Sequence, residues 1–451
     1  MRERSYHIIT FGCQMNVHDS QWLGRVLQRR GFAEGPLEEA QVVVVNTCSV
    51  REKPEQKVMS ALGRIRQATG SNPAVLVVVT GCVAQQLGEE LFRQPQVRLV
   101  AGSDGIASAP QAIERLLEEP DRKLSLLDFT SSYEEREEGA RAPSGPVAYV
   151  NIMQGCDNFC AYCIVPYTRG RQKSRMTEAV LDDCRKALED GAREICLLGQ
   201  NVNAFGRDKH GDGVSFADLL RRVAALPGLL RLRYVTPHPK DMGPEDVALF
   251  GELPNLCPRL HLPLQAGSDA VLARMGRKYD AARYIELTDA LRAARPDIAL
   301  STDLIVGFPG ESEEDFQQTL ALMRRCGFMS SFSFCYSDRP GTRASRFLDK
   351  IAPDAQQERL LRLQALQDEL GQAWLDARVG QETDVLIEGE SRRDGGSEGL
   401  RSWQGRDPYG ALVHVGLPSA EDADMTGRMV RVRLTEAKKH SLLGQQAGAS
   451  W

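Results

Sequence analysis

Cys156, Cys160 and Cys163 form a Cys-x3-Cys-x2-Cys cluster within Gln154-Gly155-Cys156-Asp157-Asn158-Phe159-Cys160-Ala161-Tyr162-Cys163. Three soft thiolates packed this tightly can hold an iron–sulfur cluster. Three ligands are one fewer than a four-iron cluster needs, so one iron stays open to another molecule. The competing readings are a zinc site and a disulfide framework. Structural zinc usually shows paired Cys-x2-Cys arms, which this run lacks.

A second set of cysteines emerges only through the elements that position it. The short β-branched runs Tyr6–Thr10, Val42–Val45 and Val75–Val79 lead into Phe11-Gly12-Cys13, Asn46-Thr47-Cys48 and Thr80-Gly81-Cys82. Such runs predict parallel strands buried on both faces. Helical segments are expected after each, over Asp19–Arg30, Glu52–Gln67 and Ala84–Arg93, with a further helix over Gln111–Glu119. Ligands of a parallel sheet gather at the carboxyl ends of its strands. Cys13, Cys48 and Cys82 therefore occupy equivalent places and are expected to converge as a second three-thiolate site. A free cysteine is often only a small buried hydrophobe, but three successive placements favour the site.

From Asp128 to Pro146 the chain turns acidic and then rich in Gly, Ser, Ala and Pro, which reads as a linker with a solvated charged face. Beyond it, strands are expected over Val147–Met153, Glu194–Leu198, Leu230–Val235, Arg259–Pro263, Ala299–Val306 and Met329–Cys335. Helices are expected over Thr177–Asp190, Phe216–Leu226, Pro244–Phe250, Ala281–Ala294 and Glu313–Cys326. Six parallel strands with crossover helices predict a partial (β/α)6 barrel with its chemistry at the strand carboxyl ends. A helix-prone stretch, Ala355–Ala377, precedes short alternating runs at Asp384–Ile387, Ala411–Val415 and Met429–Leu434, which predict a small all-β barrel. The fold class is thus α/β: a doubly wound parallel sheet over 1–125, a linker over 126–145, the partial barrel over 146–377 and the β barrel over 378–445. Arg392, Arg393, Arg401, Arg406, Arg428, Arg431, Arg433, Lys438 and Lys439 concentrate in the last unit. They are either an RNA-docking surface or ordinary solubilising charge.

Composition limits the possibilities. A chain of 451 residues holds two or three domains. Its 11 cysteines are spread too unevenly for a secreted disulfide scaffold. A net charge of −5 and a pI near 5.9 exclude a generic polyanion binder. Neither an apolar signal core nor a membrane-length apolar stretch is found, so a cytoplasmic location without membrane contact is expected.

Longer motifs identify a relationship. Thr10-Phe11-Gly12-Cys13-Gln14-Met15-Asn16, Asn46-Thr47-Cys48-Ser49-Val50-Arg51-Glu52, Gly81-Cys82-Val83-Ala84-Gln85 and Ile164-Val165-Pro166-Tyr167-Thr168-Arg169-Gly170 resemble the tRNA methylthiotransferases, a radical S-adenosylmethionine (SAM) family. So do Leu198-Gly199-Gln200-Asn201-Val202-Asn203, His261-Leu262-Pro263-Leu264-Gln265-Ala266-Gly267-Ser268-Asp269 and Ser301-Thr302-Asp303-Leu304-Ile305-Val306-Gly307-Phe308-Pro309-Gly310. The residues around Cys13 and Cys48 are similar to the branch acting on N(6)-(dimethylallyl)adenosine; Gln14-Met15-Asn16 stands where the aspartate-modifying branch has Pro-Lys-Asn.

The resemblance implies two [4Fe–4S] clusters, one on Cys156, Cys160 and Cys163 and an auxiliary one on Cys13, Cys48 and Cys82. It implies reductive cleavage of SAM at the first, giving a 5′-deoxyadenosyl radical that takes hydrogen from carbon 2 of the adenine at tRNA position 37. Sulfur, methylated by a second SAM, is implied at the auxiliary site, and the first domain must then cover the barrel mouth. Partners implied are the tRNA anticodon stem-loop, an electron donor such as flavodoxin or ferredoxin, and a sulfur donor; a monomer is expected. The terminal module resembles a TRAM domain, which favours RNA docking.

Candidate cofactor contacts are Tyr162 near adenine, Gln200 and Asn201 after a barrel strand, and Gln265, Ser268 and Asp303 at the mouth, each of which has a turn or helix cap as its alternative. Arg169 and Arg171 reach either phosphates or local acids. Cys184, Cys196, Cys257, Cys326 and Cys335 read as core. Two other functions stay open: methylthiolation of threonylcarbamoyladenosine or of a ribosomal-protein aspartate, and a non-catalytic iron–sulfur carrier that binds RNA.

Overall fold

The computed structural model describes residues 4–49, 54–70, 72–140, 144–391, 400–418 and 424–450. Val50, Arg51 and Glu52 of the second motif, and Arg392 and Arg393 of the basic module, lie outside them.

Six parallel strands build the first unit, in the order Ala33–Glu34, Ser5–Thr10, Val42–Thr47, Leu76–Gly81, Val97–Ala101 and Leu124–Leu126. In chain order this is 2-1-3-4-5-6, a doubly wound arrangement whose switch point lies between the strands that precede Cys13 and Cys48. The pleat sends Val42, Val44, Leu76 and Val78 to one face and Val43, Val45, Val77 and Val79 to the other. Both faces are covered, so the strands read as unbroken apolar runs. Val97–Ala101 and Leu124–Leu126 are additions to the expected strands. The first is interrupted by Arg98, whose guanidinium is buried against the carbonyls of Leu116 and Pro120. The first helix runs Gln14–Arg29, starting at the residue after Cys13 rather than at Asp19.

Two three-stranded parallel sheets form the partial barrel. One orders Arg231–Tyr234, Glu194–Leu198 and Val147–Asn151; the other orders Arg259–His261, Ala299–Val306 and Ser330–Cys335. A parallel bridge between Leu232 and Leu256 links them. Leu260, Leu300, Leu304 and Val306 pack against the surrounding helices. By alternation, His261, Ser301 and Asp303 face the barrel interior. The expected strand over Val147–Met153 divides: after Asn151, Met153–Gln154 pairs antiparallel with Lys173–Ser174. This small hairpin carries the Cys156 loop.

The acidic stretch after Asp128 keeps Glu134, Glu135 and Glu138 exposed, yet its charges also pair with both units. It is a strap between the two units. Arg136 donates to Asp19 at 2.8 Å and stacks over Trp22, while Glu137 pairs with Arg30. On the barrel side, Glu135 pairs with Arg175 and Glu138 with Lys186.

The helix Pro353–Asp376 leads to a closed β barrel of Glu382–Glu390, Leu400–Arg406, Leu412–Pro418, Met429–Lys438 and Ser441–Ser450. Two of its five strands, Leu400–Arg406 and Ser441–Ser450, are additions to the expected ones. The first carries three charged or amide residues among seven, and the second is broken by Gly444 and Gly448. Arg231 docks the module on the partial barrel, donating to the carbonyls of Arg406 and Asp384 at 2.8 and 2.5 Å.

Candidate active site

Cys13, Cys48 and Cys82 follow the carboxyl ends of three sheet strands; Cys13 hydrogen-bonds to Cys48, and Cys13 and Cys82 both face Arg169. Gly12 permits this at φ +124°: a Cβ there would stand 2.2 Å from the Cys48 Cβ. Gly81, at φ +90°, lies similarly tight against the Thr47 carbonyl. Side-chain amides lock the loops together. Asn16 donates to the Asn46 side chain and the Thr47 carbonyl, both at 2.8 Å, and Asn46 returns a bond to the Asn16 carbonyl at 2.9 Å. Thr47 Oγ1 donates to the Thr80 carbonyl and accepts from the Val83 amide.

Cys13 precedes the first helix and Cys82 begins the helix Cys82–Leu87. The backbone N–H groups of Met15 and Asn16, at the start of the first helix, favour a thiolate on Cys13. A hydrogen bond with Cys48 lowers the Cys13 thiol to about 6, against its burial and helped by Arg169.

The Cys156 loop is braced from outside. Gly155 N donates to Gln200 Oε1 at 2.6 Å, Cys156 N to the Gly170 carbonyl, and Ala161 N to the Met275 carbonyl; the Ala161 carbonyl accepts from Ala344 N. Burial pushes the Cys163 thiol up to about 12, with the Cys160 charge adding to it, and burial raises Cys156 as well. These thiols therefore resist ionisation alone, which is the state a bound cation reverses. Among the described residues no group of three His, Cys, Asp or Glu side chains stands in metal-holding geometry. The fit to a cluster rests on the donor chemistry and on the polar groups around it.

Those groups are well developed. Arg277, 4% exposed, points Nη1 at Cys160 Sγ (3.5 Å) and at the Tyr162 hydroxyl (3.4 Å) and donates to the Pro263 carbonyl. Burial opposes its charge, and the Tyr162, Tyr279 and Cys160 groups outweigh that. His238 Nε2 lies 4.0 Å from Cys160 Sγ. Burial drives its ring well below the usual imidazole value, so it is neutral at pH 7. Its Nδ1 accepts from Lys240 N, which leaves the proton on Nε2 facing the sulfur. Asn201 donates to Asp241 at 2.8 Å, while its buried Oδ1 has no partner. That orphan acceptor at the mouth is a place for a ligand's donor.

The expected contacts separate accordingly. Tyr162 is half-buried and turned toward Arg277. Gln200 holds the cysteine loop. Asn201 keeps a free acceptor. Asp303 pairs with His261 Nε2 at 3.1 Å on the interior face and is 31% exposed. Gln265 has φ +74°, one of four non-glycine residues in the left-handed region among those described; the others are Phe159, Thr236 and Lys278. Phe159 belongs to the cysteine loop, and Thr236 and Lys278 neighbour His238 and Arg277, so the strain gathers at the mouth. Ser268 does not line the mouth. It caps the helix Asp269–Met275, bonds to Asp315 and is 1% exposed. Arg171 pairs with Asp157, and Arg169, 4% exposed, is too deeply buried to meet a phosphate.

One segment, Arg169-Gly170, touches residues of both cysteine sets. Met15 packs against Cys196 and Leu198 of the barrel, so the first helix closes over the mouth. Ser103 Oγ donates to the Thr168 carbonyl, and Asp104 binds Lys173 and Gln154 of the hairpin.

Residues 5–102 match a family described as Uncharacterized protein family UPF0004, and residues 150–323 match the Radical SAM superfamily. The chain is 63% identical over its whole length to the whole of the tRNA-2-methylthio-N(6)-dimethylallyladenosine synthase of Nitratidesulfovibrio vulgaris strain DP4. The chain belongs to the tRNA-2-methylthio-N(6)-dimethylallyladenosine synthase family. Synthases of that name from Oleidesulfovibrio alaskensis and Geobacter sulfurreducens are 56% and 43% identical, covering 100% and 99% of this chain and 100% and 98% of their own. The radical S-adenosylmethionine methyltransferase TsrM of Kitasatospora setae superposes with a TM-score of 0.57 at 14% identity, over 76% of this chain and 74% of that one. This last likeness extends to the fold alone.

For a member of the synthase family, Arg277, His238, Asp241 and Asn158, which donates to Asp241 at 3.4 Å, are the mouth residues that sequence reasoning passed over. His238 had a signal, since it follows the strand Arg231–Tyr234 at its carboxyl end. Arg277 had none, because it comes from the turn after a short helix.

Proposed function

We propose that this chain adds a methylthio group to carbon 2 of N(6)-(dimethylallyl)adenosine next to the tRNA anticodon, at position 37. The observation that supports the reading is the Arg169-Gly170 segment, which faces Cys13 and Cys82 on one side and accepts from Cys156 N on the other, in a chain 63% identical throughout to a synthase of that name. The shared name of the relatives disfavours the threonylcarbamoyladenosine and aspartate alternatives. When bound, SAM and the two [4Fe–4S] clusters supply a 5′-deoxyadenosyl radical and a methylated sulfur. Cys156, Cys160 and Cys163 would hold one cluster, and Cys13, Cys48 and Cys82 the other. Asn201 Oδ1 would accept from the polar end of SAM, Tyr162 would lie along its adenine, and Gln200 would keep the loop in register. Arg277 and the Nε2–H of His238 would offset the negative charge of the thiolates. Asp303, Gln265 and His261 would line the interior where the base enters. Met15 and the first helix keep water from the mouth.

The functional units remain those proposed from sequence: 1–125 for sulfur, 146–377 for radical generation and the terminal module for RNA. A flavodoxin or ferredoxin as electron donor, a separate sulfur donor and a monomeric state complete the proposal. Among the described residues no helix is long and apolar enough to cross a membrane. Nucleoside mass spectrometry of tRNA from a deletion strain is expected to show loss of the methylthiolated nucleoside and accumulation of its dimethylallyl precursor. Loss of a threonylcarbamoyl derivative instead would transfer the function to that alternative.

The basic strip is more neutral than its sequence suggested. Arg431 pairs with Glu382 and Asp384, Arg433 with Glu382, Lys438 with Glu436 and Lys439 with Asp368. Exposed pairs like these are worth about 0–1 kcal/mol and exchange readily for phosphate. Replacing all four cations by Ala is expected to weaken tRNA binding and to lower the log–log salt slope by about 0.7–0.9 for each phosphate that is no longer neutralised. Filter binding across a salt series measures both, and unchanged affinity would make the strip plain surface.

A further inference from the structure

Arg169 belongs to the barrel unit but lies among the thiols of the other one. It follows the helix Val165–Thr168, and its neighbour Gly170 accepts from Cys156 N at 3.3 Å. One short segment therefore supports the radical-site loop and reaches the auxiliary site. The Cys82, Asp19 and Cys13 groups face the guanidinium, Cys82 also as a hydrogen-bond partner, and favour its charge against burial. Its Nη2 donates to Asn16 Oδ1 at 3.4 Å and stands 3.8 Å from Asp19 Oδ2. Asp19 is held more closely by Arg136, at 2.8 Å, so Arg169 has only a distant share of that carboxylate. Nη1 is fully buried and has no hydrogen-bond partner. A buried guanidinium N–H left unpaired is costly, and among sulfur ligands it marks the place of an anion.

We propose that Arg169 is the anion-binding residue of the auxiliary site, its Nη1 donating to the sulfur anion held there for transfer. The inference rests on the reading of Cys13, Cys48 and Cys82 as cluster ligands. It assigns the donor sulfur, a sulfide or methanethiolate, to the side of the auxiliary site that faces the barrel. Guanidinium is suited to this because it stays charged when buried and directs several donors in a fixed plane. Arg169 is thus a positioning residue, setting where the sulfur lies relative to the radical-site loop.

The test uses the full chain with Cys156, Cys160 and Cys163 changed to Ala, so that the auxiliary cluster is the sole paramagnetic centre. Anaerobic reconstitution is expected to give about four irons per chain. Sodium methanethiolate is titrated in, and the electron paramagnetic resonance signal of the reduced cluster gives the midpoint. Adding Arg169→Gln is expected to keep the iron and to raise the midpoint about tenfold or more, the range for one charge-assisted hydrogen bond. Arg169→Lys, with its charge but no fork, is expected to fall between. A midpoint within about twofold of the parent in Arg169→Gln would overturn the proposal. If Arg169→Gln loads no iron, Arg169→Lys decides, and a parental midpoint there overturns it equally. Iron failing to load with Arg169 intact would remove the ligand assignment and the proposal together, and the iron count tells that result from the others.

Discussion

Cys160→Ala is expected to abolish both 5′-deoxyadenosine formation and tRNA methylthiolation, whereas Cys48→Ala abolishes methylthiolation and leaves 5′-deoxyadenosine forming. The asymmetry follows from where the two sulfurs sit. Cys160 lies within the barrel, flanked by Arg277 and His238, in a loop tied to Met275 and Ala344. Cys48 follows a strand of the first sheet, and its neighbours are Gly12 and Cys13. The segment that serves both sites is Arg169-Gly170, and its support of Cys156 is a backbone bond that does not involve Cys48. Each variant is expected to retain about four of about eight irons. Liquid chromatography of 5′-deoxyadenosine and of the digested tRNA, from the same anaerobic reactions, reads both products. Loss of 5′-deoxyadenosine in a Cys48→Ala protein that still carries its barrel iron would end this division of labour.

Much of this arrangement was legible in the sequence because it is carried by local patterns. Valine runs ending in Gly-Cys or Thr-Cys announce buried parallel strands, and the rule that ligands gather at strand carboxyl ends brings three distant cysteines together without further information. What could not be read depends on packing between units. Arg169 has the same letter whether it meets a phosphate or a buried thiol. Its role follows from the first domain packing on the barrel. The Glu135–Glu138 run has the composition of a solvated linker, and only the positions of Arg30, Arg175 and Lys186 make it a strap. Ser268 matches a family motif, yet its environment makes it a helix cap bonded to Asp315. Arg277 illustrates the same limit, since nothing in its neighbourhood of sequence indicates that its guanidinium will lie against Cys160.

A buried ion pair helps to hold the two units together. Asp104, from the loop after Val97–Ala101, pairs with Lys173 of the hairpin that carries the Cys156 loop, and the side chains are 5% and 3% exposed. Asp104 also accepts from Gln154 and from Thr130 N and Oγ1, at 2.8 and 3.1 Å for the latter two. Asp104→Ala leaves an ammonium in a dry interface with only Thr130 for company, and the expected cost is about 3–5 kcal/mol. A chain of several domains need not unfold in one step, so the loss is expected as an earlier transition in which the first unit separates from the barrel. Trp22 reports this event, because its indole N–H donates to the Glu137 carbonyl within the strap. Proteolysis within residues 128–140 reports it too. If opening is fast relative to cutting, cleavage is expected to speed up by about a hundredfold or more. Changing both partners, Asp104→Leu with Lys173→Met, removes the stranded charge and is expected to recover most of the stability. If Asp104→Ala unfolds at the wild-type denaturant concentration and is cut at the wild-type rate, this pair does not hold the two units together, and the approach of the two cysteine sites must depend on the strap and the packing of Met15 instead.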